Sequence, residues 1–234
     1  MVHSLLDLTW QEKIGAVIGI GIAAFGIVDA AKSFFSGINL IGFSHIKAAV
    51  NELTPPPASG LDSPFSRLRI LEAIKANWVA GVGLEKQKAK AVELVNAYLS
   101  PSTAGGLAAV TSVDLPGLEI IAAKLASGTE FLPNERDLYK RFELVVSTLL
   151  DSAFYRSEGV YRHGMRALCA VVCVILGVLA PWGVFYGFSS NFLGTPDLWL
   201  GLLGGLVATP FAPIAKDIST VVGTIIGKQV RKYL

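Results

Sequence analysis

The chain has 234 residues and a formal net charge of +2; hydrophobic side chains make up 52% of it and charged side chains only 16%. Soluble domains carry about 25% charged residues, so this composition favours an integral membrane protein. Residues 36–164 hold 13 basic and 13 acidic side chains. Because nucleic-acid binding needs a basic surface, we expect no nucleic-acid partner.

The first apolar stretch covers residues 14–35 and, with the short tail before it, forms segment 1–35. Roughly 20 apolar residues in a helix cross the hydrocarbon core of a bilayer, so we predict a first transmembrane helix here. Its uninterrupted apolar run ends at Val28, which leaves a buried or interfacial helix as the alternative. Gly15 and Gly19 are four residues apart, a spacing that lets two helix backbones approach closely in lipid.

Residues 36–164 are predicted to form a helical insert between the first and second transmembrane helices. The segment Phe43–Leu53 has the apolar periodicity of an amphipathic helix. Its apolar stripe consists of Phe43, Ile46, Val50 and Leu53. Further helices are predicted over 63–78, 84–99, 107–113, 116–127 and 133–153. No stretch alternates apolar and polar residues over the length of a strand, so we expect no sheet.

Three lysines, Lys86, Lys88 and Lys90, stand at alternate positions in the helix predicted over 84–99. Glu85 and Glu93 accompany them, and this mixture of charges favours a solvated helix face over a nucleic-acid patch. We therefore expect all three lysines to point away from the apolar stripe of this helix.

Two more apolar stretches, residues 165–188 and 198–215, are each long enough to cross a bilayer. They predict a transmembrane hairpin over 165–215, in which Gly201, Gly204 and Gly205 allow close helix packing. The fold class expected is an all-α integral membrane protein with about three transmembrane helices and a helical cytoplasmic insert between the first and second.

Two prolines, Pro210 and Pro213, lie near the end of the third predicted helix. Proline removes a backbone donor and bends a helix, so we expect the chain to turn here. Residues 216–234 form an amphipathic, basic segment that would then lie along the cytoplasmic interface. Lys216 and Asp217 should mark that interface, because a charge deep in the bilayer is costly.

Basic side chains indicate the orientation of the chain. Arg162 and Arg166 stand at the start of the second transmembrane helix, whereas the turn over 189–197 contains no basic residue. Cytoplasmic ends collect lysine and arginine, which predicts that the insert 36–164 and the C-terminus are cytoplasmic and the N-terminus is outside. Asp217 would enter from the same side, so we expect it to pair with Arg162 or Arg166.

Residues with reactive side chains are sparse. His3, His45 and His163 lie far apart in the sequence, and no phosphate-binding glycine loop or zinc-binding motif is present. Cys169 and Cys173 share one face of an apolar helix and are expected to serve as small packing residues. We therefore predict that the protein is not an enzyme and has no catalytic residue, metal site or cofactor.

Two short motifs carry a resemblance to a known family. Gly159-Val-Tyr161-Arg162 precedes one transmembrane helix, and Ala212-Pro213-x-x-x-Asp217 ends the next. This part of the chain, about its last third, resembles a group of uncharacterised bacterial multi-pass membrane proteins. That family carries a G-x-Y-[KR] stretch and a hydrophobic hairpin ending in G-A-P-x-x-x-D-L-L; the present chain has Phe211 where the family has glycine. The resemblance implies a multi-pass protein of the bacterial inner membrane.

Two functions agree with these features. The first is a non-catalytic membrane scaffold or adaptor subunit that assembles through its glycine-rich helices with itself or with a partner complex. The alternative is a small homo-oligomeric channel or pore lined by the proline-bent third helix. A pore needs a polar stripe through the depth of the membrane, and residues 198–207 supply none. Membrane lipid is the expected partner in both cases.

Overall fold

The structure is a computed structural model that describes residues 4–34, 36–56 and 66–211. Over these ranges the chain is helical and contains no strand, which confirms the predicted all-α class. The α-helices are α1 (Trp10–Phe34), α2 (Ser36–Asn39), α3 (Phe43–Leu53), α4 (Arg67–Val79), α5 (Leu84–Tyr98), α6 (Ala104–Thr111), α7 (Leu115–Ser127), α8 (Pro133–Tyr186) and α9 (Pro196–Ala208). Short 3-10 helices cover Leu5–Asp7 and Ser190–Gly194.

Two of these helices are long and apolar enough to cross a bilayer, namely Trp10–Lys32 within α1 and the apolar part of α8. The helix α9 is also apolar but has only 13 residues, about 20 Å at 1.5 Å per residue. A span of the hydrocarbon core takes about 30 Å. The described residues therefore contain two helices of spanning length, and the predicted third span is not confirmed.

The helix α8 combines two helices that were predicted to be separate, the last helix of the insert and the second transmembrane helix. It runs without a break for 54 residues, about 80 Å, through the predicted boundary between residues 164 and 165. The helix-weakening residues near that boundary are Gly159 and Gly164. Isolated glycines lower the stability of a helix, but a long helix tolerates them. The helix ends after Tyr186, where Gly187 takes a positive φ of 54°, the usual conformation after a helix C-terminus.

The chain divides into two compact units, each with its own packing. The insert unit is Ser36–Tyr161, and the apolar unit is Met1–Phe35 together with Arg162–Leu234. The insert unit has one hydrophobic core, to which α3 contributes its entire predicted stripe; Phe43, Ile46, Val50 and Leu53 are all buried. The helix α8 adds Phe142 and Phe154 to the same core. The helix predicted over 107–113 begins earlier, at Ala104, and ends at Thr111.

The α4–α5 turn shapes one side of the insert unit. Gly81 has a φ of 65°, and its N–H donates to the carbonyl of Trp78 at 3.1 Å. The N–H of Val82 donates further back, to the carbonyl of Asn77 at 3.2 Å. Such back-bonding to the last helical carbonyls ends a helix and favours glycine at the left-handed position. The chain then enters α5 at Leu84 with no side-chain cap.

The side chain of Lys88 is buried, which corrects the prediction that it is solvated. It is 7% exposed, and its Nζ lies 3.1 Å from Glu85 Oε1 and 3.3 Å from Asp151 Oδ1. The ammonium also lies 3.9 Å from the centroid of the Tyr155 ring. Burial favours the neutral amine, but hydrogen bonds with Tyr155, Glu85 and Asp151 outweigh it and raise the pKa of Lys88. Its neighbours Lys86 and Lys90 are exposed as expected.

The apolar unit packs through small side chains. Ala24 of α1, Cys173 of α8 and Ala208 of α9 form one buried cluster. Val28 and Cys169 form a second cluster. Both cysteines are free and buried, in agreement with their expected packing role. Small residues at these contacts bring helix backbones close together.

Candidate functional site

The helices α8 and α9 of the apolar unit cross at a point made of glycines. A Cβ added at Gly177 would collide with the carbonyl oxygen of Gly201 and would lie 2.9 Å from the Cα of Gly205. A Cβ at Gly205 would lie 2.6 Å from the carbonyl oxygen of Cys173. Only glycine fits such a backbone-to-backbone contact. The structure therefore places the predicted packing residues Gly201 and Gly205 against α8 of the same chain.

Gly204 faces a different neighbour. A Cβ added there would just touch Val17 Cγ2 of α1, at 4.0 Å. Gly204 is thus oriented toward α1, but its lack of a side chain is not what permits the contact.

Gly15 and Gly19 of α1 contact no other helix in the described part of the chain. A Cβ at either position, or at Gly26, would have no described atom within 4 Å. At 100° per residue, these three glycines lie on one side of α1, and the buried residues Ala24 and Val28 lie on the other. A ridge of isoleucines runs beside them: Ile14 is 58% exposed, Ile18 37% and Ile22 46%. We call this surface the glycine face of α1.

The apolar unit also has a groove between the Leu5–Asp7 turn, α1, α8 and α9, with a volume of about 610 Å³. Its walls are apolar, and Lys13 is the only charged side chain among the described residues that line it. Lys13 Nζ donates to the carbonyl of Leu6 at 3.3 Å and lies 5.4 Å from the centroid of the Trp10 ring. The groove therefore has room for an apolar group, and the wall carries one positively charged side chain, Lys13.

A buried carboxylate lies at the start of α9. Asp197 is only 1% exposed, and its Oδ2 accepts a hydrogen bond from the Tyr186 hydroxyl at 2.6 Å. Its Oδ1 accepts a second bond from the Ser4 hydroxyl at 3.0 Å. The first turn of a helix is a favourable place for an acidic group. These bonds tie the end of α8 and the N-terminal tail to α9.

Tyr186, which bonds to this carboxylate, belongs to a group of packed aromatic rings. Trp182 and Phe192 stack with centroids 6.0 Å apart, and Tyr186 and Phe192 lie 5.2 Å apart. Trp182 Nε1 donates to the carbonyl of Ser189 at 2.8 Å. Sequence reasoning did not predict the burial of Asp197 or its hydrogen bonds to Tyr186 and Ser4. Its one local signal is Pro196-Asp197, a proline at the first helical position followed by an acid, which marks a helix start.

The proline region is described only as far as residue 211. The helix α9 ends at Ala208, two residues before Pro210, and Phe211, the last residue described, is again helical. Because Pro210 has no N–H, the carbonyl of Leu206 accepts instead from the N–H of Thr209 at 3.2 Å. The Thr209 hydroxyl donates to the carbonyl of Gly205 at 3.4 Å.

The remaining predicted residues of this region, Pro213, Lys216 and Asp217, lie outside the described residues, as does the segment 216–234. Arg162 and Arg166 are exposed on α8. Their pairing with Asp217 stays a prediction.

Groups that could hold a metal ion are absent from the described ranges, which contain no cluster of three His, Cys, Asp or Glu side chains. His45 lies on α3 and His163 on α8, and His3 falls outside those ranges.

No protein family, curated protein or solved structure matches this chain. The resemblance based on Gly159–Arg162 and Ala212–Asp217 therefore stays a prediction.

Proposed function

We propose that the protein is a non-catalytic membrane scaffold or adaptor that assembles with a second copy of itself through the glycine face of α1. The observation that carries this proposal is the open row of Gly15, Gly19 and Gly26 beside a ridge of exposed isoleucines. Glycine lowers helix stability relative to alanine in water-soluble helices. In lipid, glycines at this spacing let two helices approach closely and gain dispersion contacts.

The contrast with α9 supports this assignment. Gly201 and Gly205 are used inside the chain, where a side chain would collide with the backbone of α8. The glycine face has the same small-residue character and no such contact with the described residues. The α1 helix of a second copy would cover the glycine face, because the isoleucine ridge of one copy fits into the glycine groove of the other.

The apolar unit is proposed to lie in a bilayer, with about three transmembrane helices and the insert on the cytoplasmic side. Its outward side chains are large and apolar: Val171 is 55% exposed, Ile175 49%, Val184 75% and Leu203 58%. Water penalises such exposure at roughly 25 cal/mol per Å², whereas lipid does not. The bacterial inner membrane is proposed from the resemblance alone, and lipid is the proposed partner of the groove beside Lys13.

A channel is the less favoured alternative. The described part of α9 presents Trp199, Leu203, Leu206 and Val207 outward, and these side chains would give a pore no polar lining. The insert unit has its own hydrophobic core, which suits a cytoplasmic docking domain for partner proteins better than a channel gate.

The test is self-association of the purified full chain in lipid vesicles, measured by energy transfer between donor- and acceptor-labelled copies while lipid is added as diluent. We expect transfer for the native sequence and its loss in Gly19→Ile, because the larger side chain blocks the groove. The matched control is Gly159→Ile, which fills another open helical glycine outside α1 and should leave transfer unchanged. Equal transfer in both variants, or none in the native protein, would contradict the proposal.

A further inference from the structure

The groove of the apolar unit follows α1 for about the depth of one bilayer leaflet. Its lining takes a single face of α1, on which Trp10, Lys13, Val17 and Ile20 lie. From residue 10 to residue 20 the helix rises about 15 Å, which is half of the roughly 30 Å hydrocarbon core. A groove of this length matches an acyl chain of one leaflet that lies along the helices.

The two ends of the groove differ in chemistry. Lys13 lies near the end where α1 begins, and the lining then continues to Ile20 with apolar residues only. Ile20 packs against the buried cluster of Ala24, Cys173 and Ala208, so the groove stops where α1 meets α8 and α9. A charge at one end and an apolar lining over the rest is the pattern that a phospholipid fits, with its headgroup at Lys13 and one chain in the groove.

The room in the groove comes from residues with little or no side chain. Ala16, Ala180, Gly201 and Gly204 are part of the lining, and a Cβ added at Gly204 would have only Val17 Cγ2 near it, at 4.0 Å. The volume is about 610 Å³, within the range of about 300–1,000 Å³ that is usual for small-molecule sites. A helix segment 15 Å long and about 10 Å wide takes roughly 1,200 Å³. The groove is therefore too small to hold a helix of a second copy, whereas an acyl chain is much thinner.

Lys13 can reach a ligand. Its side chain is half-buried, and its ammonium carries three N–H groups, of which the bond to the Leu6 carbonyl uses one. The Trp10 ring lies 5.4 Å from the same Nζ, and together these contacts keep the ammonium at the end of the groove. The neighbouring carboxylates of Asp7 and Glu12 are not part of the lining. The only charge in the described lining is therefore positive.

We propose that this groove holds one acyl chain of an anionic phospholipid whose phosphate accepts hydrogen bonds from Lys13. The inference rests on the proposed membrane location of the apolar unit and adds the charge and the number of the bound lipid. An anionic headgroup is favoured over a zwitterionic one, because the ammonium of a zwitterionic headgroup is repelled by Lys13. Trp10 is 79% exposed, and an exposed tryptophan suits the headgroup region of a bilayer.

The experiment is native mass spectrometry of the full chain in detergent, titrated with phosphatidylglycerol or with phosphatidylcholine of the same acyl chains. We expect one phosphatidylglycerol per chain to bind before any other lipid. Its affinity should exceed that of phosphatidylcholine about tenfold, as expected for hydrogen bonds between charged groups.

One pair of variants tests the headgroup contact. Lys13→Gln removes the positive charge from the groove, so the tenfold preference for phosphatidylglycerol should fall to nearly none. The control is Lys32→Gln, which removes a lysine from the other end of α1, outside the lining. It should keep the preference of the native protein.

A second set of variants tests where the acyl chain lies. Ala16→Phe fills the groove from α1 and should weaken the binding of the first phosphatidylglycerol at least about tenfold. Ala23→Phe is the matched control, because Ala23 is an exposed alanine of the same helix that does not line the groove. If Ala16→Phe fails to fold, Ala180→Phe fills the groove from α8 and should have the same effect.

Four results would overturn the proposal. A series of lipids bound with equal affinity would mean an adventitious additive only, and equal binding of the two phospholipids would remove the role of Lys13. Displacement of phosphatidylglycerol by an equal concentration of palmitate would assign the groove to a free fatty acid. Native-like binding in Ala16→Phe and Ala180→Phe would show that the lipid binds elsewhere.

The glycine-face proposal has a separate readout, the energy transfer between labelled copies in vesicles. Lys13 and Gly15 are two residues apart and so about 200° apart around α1, and Lys13→Gln should therefore self-associate like the native protein. Native protein that self-associates without a preference for phosphatidylglycerol would refute the lipid site alone. Native protein that does not float with vesicles in a density gradient would refute the membrane location, and the lipid site with it.

Discussion

The hydroxyl of Tyr186 lies 2.6 Å from Asp197 Oδ2, and the carboxylate that accepts this bond is almost completely buried. Tyr186 is the last residue of α8 and Asp197 belongs to the first turn of α9. The bond therefore links the C-terminus of α8 directly to the N-terminus of α9, across the turn that connects the two helices. Loss of this hydrogen bond should lower the free energy of unfolding more than loss of an exposed one. The carboxylate would stay buried, away from water, without the donor that compensates for its desolvation.

We predict that Tyr186→Phe lowers the free energy of unfolding by about 1–3 kcal/mol, the cost of leaving one buried acceptor unsatisfied. The measurement is chemical denaturation in detergent followed by circular dichroism. Tyr161→Phe is the matched control, since the Tyr161 hydroxyl donates to no residue in the described ranges, and its stability should stay within about 0.5 kcal/mol of native. An equal loss of unfolding free energy in the two variants would show that the hydrogen bond from Tyr186 to Asp197 does not stabilise the protein.

The second prediction concerns Lys88. Lys88→Met removes a buried ammonium from Glu85, Asp151 and the Tyr155 ring, and we expect a loss of roughly 1–2 kcal/mol at neutral pH. Lys90→Met, at an exposed position with an i,i+3 partner, should cost less than about 0.5 kcal/mol. The measurement is denaturant unfolding of the two variants and the native protein.

The same contacts give this stabilisation a definite pH dependence. The pKa of Lys88 is raised in the folded state, so the folded protein keeps its proton at a pH where the unfolded chain loses it. The stabilisation is therefore complete below the unfolded pKa of about 10.4 and declines as pH rises above it. The stability gap between the native protein and Lys88→Met should be constant from pH 7 to about 9 and narrow above pH 10.4. A gap that widens with pH would contradict the assignment.

Lys88 also shows where reasoning from the sequence went wrong. Lysines at alternate positions looked like one solvated face, but alternation is the period of a strand. On a helix, Lys88 lies four residues after Leu84 and three before Ala91, within the apolar stripe itself. The helical period therefore turns Lys88 toward the core. Its buried ammonium is tolerated because it forms ion pairs with Glu85 and Asp151. By contrast, the stripe of α3 was predicted correctly, since all four of its members are apolar and obey one period.

Contacts between distant parts of the chain were beyond sequence reasoning. Gly15 and Gly201 look alike in sequence, yet one lies open and the other meets a backbone; the difference depends on which helix packs against each. The bond from Tyr186 to Asp197 likewise depends on how the turn between α8 and α9 folds back. The ends of helices were predicted more poorly than their existence, as α6 shows: it was predicted over 107–113 and covers Ala104–Thr111.

The third prediction tests the glycine crossing of α8 and α9. Gly177→Val places a branched side chain where even a Cβ collides with Gly201, so the helices must move apart. Overpacking of this kind costs about 1–3 kcal/mol. Gly159→Val makes the same substitution in the same helix at an open position and serves as the control for the effect of valine on helix propensity. Thermal unfolding in detergent should show a lowered midpoint for Gly177→Val relative to Gly159→Val; indistinguishable midpoints would argue against a tight crossing.

The last prediction tests the proposed membrane topology. In a background of Cys169→Ala and Cys173→Ala, single cysteines are placed at Ser102 in the insert unit and at Asn191 in the turn before α9, both exposed positions. The basic residues near the start of the apolar part of α8, and their absence from 189–197, favour a cytoplasmic insert and an outer turn. In intact cells, a membrane-impermeant maleimide should label the cysteine at 191 and should reach the one at 102 only after the membrane is opened. The controls are the same variants labelled in detergent, where both should react fully. Labelling of both sites in intact cells would place the insert and the turn on one side, and would show that the apolar part of α8 does not cross the bilayer.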